Sequence, residues 1–246
     1  MYQNELAKVG HKYFQNRRFY MYLASLGAVA VVWLTQGALP FRDDSLNQLY
    51  LGFSLAVIGL GQIVRIFSSA YAAKGTSGNA RQEAEATELN QTGLYSLIRN
   101  PLYVGRTLVF TGIALFSGSW VFGIIVFLMS FIIYERVAVY EEEFLRREFA
   151  DSHAAWAAEV PALVPRFKGW VRPKYRFCWK RMIWREVVKV FDAVLAIALI
   201  DFGRRGFAVE ALDQDLFWYY ALGVILVLRL IVGALKTFTK YYEGMA

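Results

Sequence analysis

Two short groups of residues in this chain have the types and spacing to do chemistry. The first is Arg99-Asn100-Pro101, flanked by Tyr95 and Tyr103 and bracketed by Gly93 and Gly105. Asn followed by Pro is a helix start: Asn caps free N–H groups, and Pro suits the first helical position, where no N–H is needed. The positive end of such a helix, beside a guanidinium, receives an anionic group such as a carboxylate. The alternative is that Arg99 only anchors the helix at a membrane interface, with Tyr95 and Tyr103 as aromatic-belt residues. The second group is Glu141-Glu142-Glu143. Three adjacent carboxylates just past an apolar run repel one another and sit poorly at a helix C-terminus. Arg136, Arg146 and Arg147 could compensate them on a solvated helix face. Otherwise one or two of these glutamates bind an ammonium or ribose hydroxyls.

The elements that must carry these groups are read from composition. The 246 residues are 57% hydrophobic and only 19% charged, against roughly 45–50% and about 25% for a soluble domain. The excess lies in long runs, Phe19–Leu39 and Leu216–Leu235 among them, each near the ~20 residues that cross a ~30 Å hydrocarbon core. The expected fold class is therefore all-α, a polytopic membrane helix bundle of about six spans. The spans are Phe19–Leu39, Leu46–Phe67, Leu102–Phe116, Val121–Tyr134, Val187–Phe202 and Leu216–Leu235. Leu102–Phe116 and Val121–Tyr134 are short, but Ser117-Gly118-Ser119-Trp120 joins them so tightly that they read as a hairpin. Gly52, Gly59 and Gly61 in the second span are expected to allow close helix packing. The polar stretch Ser68–Thr92 reads as a loop with a short helix around Ala80–Leu89.

Lysine and arginine placement orients the bundle. Three of the expected turns hold only Arg42, Arg204 and Arg205, whereas a dense basic block runs from Arg166 to Arg185. The positive-inside rule then places both termini and the two long loops in the cytoplasm. The first apolar run is too long for the core of a cleavable signal. A single cysteine, Cys178, excludes an intramolecular disulfide and a thiolate metal cluster. The formal charge of +7 is assigned to cytoplasmic loops rather than to nucleic-acid binding. The aromatic, basic tract Arg166–Arg185 suits an interfacial segment contacting anionic headgroups, or simple topology anchoring.

Taken together, the two groups resemble the isoprenylcysteine carboxyl methyltransferase and phospholipid methyltransferase families of integral membrane enzymes. The matching residues are Gly93, Tyr95, Arg99, Pro101, Tyr103 and Gly105, then Glu141, Glu142, Leu145 and Phe149, then Val160, Pro161 and Pro165. Three positions depart: Asn100 stands where those families usually have His, Ala150 where they have Gly, and His153 where Tyr is common. Asn can hydrogen-bond but cannot titrate.

The resemblance implies S-adenosylmethionine as cofactor, a cytoplasmic cofactor-binding stretch on the C-terminal side of the core, no metal and no nucleic acid. It implies methyl transfer to a membrane-resident acceptor such as a lipid phosphate or carboxylate. Gly93, Tyr95, Arg99, Asn100, Pro101, Tyr103, Gly105, Glu141 and Glu142 would bind the cofactor, with Arg99, Asn100 and Tyr103 at the reacting centre. Gly105 would permit close approach to the pocket. The implied organisation is a first span over 1–45, a methyltransferase core over 46–167 and a C-terminal part over 168–246. The two extra C-terminal spans and the Gly75–Asn79 loop resemble a bacterial subgroup, some members of which methylate phosphate on lipid A; an inner-membrane location follows. Two other readings are a nicotinamide-dependent membrane reductase of the sterol reductase type, which carries a similar Arg-x-Pro-x-Tyr segment, and a non-catalytic lipid-binding protein.

Overall fold

A computed structural model of the chain describes residues 2–74, 76, 84–208 and 216–242. Among them are six α-helices, one short 3-10 helix and no strand: α1 (Tyr2–Leu34), α2 (Asp44–Tyr71), the 3-10 turn Gly93–Ser96, α3 (Pro101–Phe116), α4 (Trp120–Glu159), α5 (Trp179–Arg204) and α6 (Phe217–Phe238). The all-helical membrane bundle expected from composition is the fold. Three of these helices, α2, α4 and α6, are long and apolar enough to cross a membrane, and Tyr22–Leu34 and Pro101–Phe116 are shorter apolar helices. α5 falls in neither group, because it carries Arg181, Arg185, Glu186, Lys189 and Asp192. Of the six expected spans, length and apolarity thus support three outright.

Local sequence explains the boundaries. Asp43 caps α2 by accepting from the Leu46 N–H at 2.9 Å, and Ser119 caps α4 by accepting from Phe122 at 3.2 Å. The hairpin between α3 and α4 turns at Gly118, where φ is +97°. α4 does not stop at Tyr134. It runs on through the carboxylates to Glu159 with a kink at Ala150, whose φ of 33° and ψ of −107° are not helical. The expected short helix at Ala80–Leu89 is not seen: residues 80–83 and most of the Gly75–Asn79 loop lie outside the described residues, and Ala84–Leu89 is not helical.

α3 is the centre of the bundle. One core cluster joins it to α1, α2 and α5 through Val32, Ile58, Val109, Ile113, Phe116, Ile197 and Ile200. A second joins it to α1 and α4 through Phe14, Tyr103, Phe110, Val126, Tyr134 and Val137. α2 and α3 pack backbone to backbone. A Cβ on Gly61 would lie 2.6 Å from the Gly105 carbonyl oxygen, and one on Gly112 would lie 2.5 Å from Ile58 Cγ1. Only Gly61 of the three α2 glycines does this work; Gly52 and Gly59 have open space around them. α6 packs on α5 and is otherwise apolar surface, with Phe217, Tyr220, Val224, Leu230 and Ile231 exposed.

Candidate active site

The segment before α3 is held by a strap from beyond α4. Gly93 takes φ +64° to start the 3-10 turn. The chain from Val160 to Lys174 then folds back along it. Arg99 N–H donates to the Pro161 carbonyl at 2.9 Å, Asn100 N–H to Ala162 at 3.2 Å, Arg166 N–H to Leu97 at 3.0 Å, and Gly93 N–H to Val171 at 2.9 Å. The Ser96 hydroxyl accepts from Val171 N–H at 3.0 Å, and the Trp156 indole donates to the Tyr95 carbonyl at 3.0 Å. Further along, the Lys174 and Tyr175 side chains both donate to Glu88, and Cys178 N–H reaches the Ala70 carbonyl at the end of α2. The kink at Ala150 precedes the helical turns that carry Trp156 and the strap to this segment. The Arg166–Arg185 tract is therefore partly structural, although Phe167, Trp170 and Trp179 stay exposed.

Arg99 is the buckle of this strap. Its Nε donates to Glu142 Oε1 at 3.0 Å and its Nη2 to Oε2 at 2.8 Å; Nη1 donates to the carbonyls of Ala157 at 2.8 Å and Val160 at 3.0 Å. Both side chains are largely enclosed, 14% and 20% exposed. Asn100 sits at the α3 N-cap, but its side chain makes no capping bond. Its Nδ2 instead donates to Glu142 Oε1 at 2.9 Å and to the Ala162 carbonyl at 3.2 Å. The expected Asn cap is thus corrected: the amide turns toward Glu142, a partner 42 residues away.

Glu141 occupies a different position. Tyr103 OH donates to its Oε1 at 2.6 Å, and the Tyr103 ring stacks on Tyr134 at 5.1 Å. The carboxylate lies almost two turns beyond Tyr134, where the apolar part of α4 ends. Burial pushes its pKa above the ordinary carboxylate value, against the pull of the Tyr103 hydroxyl, Arg17 and Arg106. Glu141 lines a chamber whose wall also includes Tyr95, Arg99, Asn100, Pro101, Tyr103, Trp156 and the loop residues Glu85, Glu88 and Asn90. Its empty volume is about 1020 Å³ including the open mouth. The lining mixes these carboxylates, Glu186 and the aromatic rings with the cations Arg17, Arg65, Arg106, Arg185 and Lys189.

Of the nine residues expected to bind cofactor, Tyr95, Arg99, Asn100, Pro101, Tyr103 and Glu141 line the chamber, and Gly93, Gly105 and Glu142 do not. Glu142 is turned toward Arg99 and Asn100. Gly105 faces α2, where a Cβ would lie 2.6 Å from Arg65 Cγ; the close approach it permits is between helices. The residues not foreseen are Arg65 of α2, Tyr134 of α4, and Glu186 and Lys189 of α5. The signal was available: an ionisable side chain within an apolar span is expensive there and marks a site. Among the described residues, no group of three or more His, Cys, Asp or Glu could hold a metal ion.

Fold and site together define a helical membrane protein with a chamber of charged, polar and aromatic side chains that opens to the surface. Residues 47–152, which hold most of α2, the Arg99 segment, the hairpin and both glutamates, match the family described as phospholipid methyltransferase. No curated protein and no solved structure matches the chain. A membrane methyltransferase is the coarse function this match supports.

Proposed function

We propose that the chain transfers a methyl group from S-adenosylmethionine to a lipid or lipid-linked acceptor at the cytoplasmic face of the membrane. The observation that carries this reading is the joining of the two chemical groups: Arg99 and Tyr103 each bond one of the adjacent carboxylates, Glu142 and Glu141, at one chamber. The donor supplies a methyl on a sulfonium, activated for in-line displacement with the C–S electron pair leaving on sulfur. The protein then has to position and desolvate the partners rather than activate them. Glu141, held by Tyr103, offers its second oxygen to an ammonium or ribose hydroxyl. Tyr95 and Trp156 wall the chamber. Arg99, Glu142 and Asn100 hold the strap that closes it and act as positioning residues.

The test is incubation of membranes containing the protein with methyl-labelled S-adenosylmethionine, followed by mass analysis of extracted lipids. A lipid that gains the methyl mass only with active protein is expected. Thermal stabilisation by NADPH and not by S-adenosylhomocysteine would replace this reading with the reductase.

A further inference from the structure

A second cavity lies deeper in the bundle, between α1, α3 and α5. Its wall is apolar, with Leu26, Val29, Val109, Phe110, Ile113 and Leu199 prominent, and its empty volume is about 1040 Å³ including its opening. Leu26 and Leu199 at its edge are exposed, so on this bundle the cavity reaches the surface that faces hydrocarbon. Three side chains line both this cavity and the polar chamber: Arg65, Arg106 and Lys189. They stand where the two spaces meet.

The charges there do not balance. Arg65, 3% exposed, forms a fork with Glu186, its Nε 3.0 Å from Oε2 and its Nη2 3.1 Å from Oε1. Lys189 Nζ is 3.8 Å from the same carboxylate, which also accepts from Gln62 at 3.2 Å. Arg106 interacts with Tyr134. Two carboxylates, Glu186 and Glu141 across the chamber, therefore answer three cations. Asp192 lines the apolar cavity too, but lies 3.9 Å from Arg229 of α6. Arg65 Nη1 and Arg106 Nη1 are buried and have no hydrogen-bond partner among the described residues. Donors left unmade in so apolar a setting carry a large desolvation penalty, which an incoming anion would remove.

Resting on the proposed methyl transfer, we propose that the acceptor is a lipid with an anionic headgroup. Its phosphate or carboxylate is held at Arg65, Arg106 and Lys189, and its chain lies in the apolar cavity between α1, α3 and α5. The cation excess selects against an amine headgroup, which would have to shed a proton and approach three positive charges. For an anionic oxygen the step balances without a base. A C–O bond forms, the C–S bond breaks with its pair on sulfur, and the two opposite charges cancel. This accounts for a site that works with Asn100, which cannot titrate.

The test uses the full chain in maltoside micelles and measures binding of dodecyl phosphate, dodecylammonium and inorganic phosphate by calorimetry, with S-adenosylhomocysteine titrated separately. Dodecyl phosphate is expected to bind at least tenfold more tightly than either comparator. Lys189→Gln should weaken it about tenfold, with Lys189→Arg restoring most of the loss. Leu199→Trp, which fills the exposed rim of the cavity, should weaken dodecyl phosphate and leave inorganic phosphate unchanged. Equal affinity for the phosphate and ammonium amphiphiles overturns the proposal, as does inorganic phosphate binding as tightly as dodecyl phosphate. If S-adenosylhomocysteine binds and dodecyl phosphate does not, the lipid site fails and the methyltransferase reading stands; the reverse result separates them the other way.

Discussion

Replacing Arg99 with lysine keeps the charge and removes the geometry, so it isolates what the planar fork does. Arg99 makes four hydrogen bonds, two to Glu142 and two to the strap carbonyls of Ala157 and Val160. A lysine ammonium is a compact donor that cannot hold a bidentate carboxylate and reach both carbonyls at once. At least two of the four bonds are lost. With bonds to charged groups contributing about 1.5–3 kcal/mol each, the lower figure sets a cost of about 3 kcal/mol. That is roughly 150-fold in the equilibrium for strap docking. The amides that report docking are those of Arg99, Asn100 and Arg166, bonded to Pro161, Ala162 and Leu97. Hydrogen exchange at these amides should accelerate by about two orders of magnitude in Arg99→Lys, while exchange in α2 and in the apolar part of α4 stays unchanged. Affinity for S-adenosylhomocysteine should fall with it. Adding Glu142→Gln should cost far less than in the wild-type background, because the two share one fork. Wild-type protection at these amides in Arg99→Lys, or additive losses in the double variant, would refute the assignment of Arg99 as the buckle.

Two further substitutions read the scaffold. Ala150 holds φ 33°, a left-handed conformation that a side chain resists, at a cost of order 1–3 kcal/mol; Ala150→Gly should raise the thermal midpoint in micelles by a few degrees without loss of donor binding, and a lowered midpoint would contradict the strained kink. Gly105→Val places carbon against the Gly61 carbonyl and Arg65 Cγ, where even a Cβ lies within 2.7 Å. It should drive α2 from α3 and abolish both the folded yield and the Arg65–Glu186 fork, and a well-folded, active Gly105→Val would show that the helices need not touch.

The membrane class, the hairpin and the pairing of the Arg99 segment with the glutamates were legible in the sequence, because each rests on local signals. Long apolar runs have one solution in lipid, Asn-Pro marks a helix start, and the short Ser117–Trp120 turn forces α3 and α4 to lie antiparallel. That geometry alone brings residue 99 near residue 142. Packing decided the finer assignments. Adjacent glutamates on a helix project about 100° apart, so one can face Arg99 and the other Tyr103, and no spacing rule says which. Gly105 and Gly61 look alike to a pattern as small residues, yet their meaning comes from the neighbouring backbone. Arg65, Arg106, Glu186 and Lys189 lie on three helices and converge only because α2 and α5 both pack on α3 at that level. Convergence of buried charge is a property of non-local contacts, and only the tertiary structure decides it.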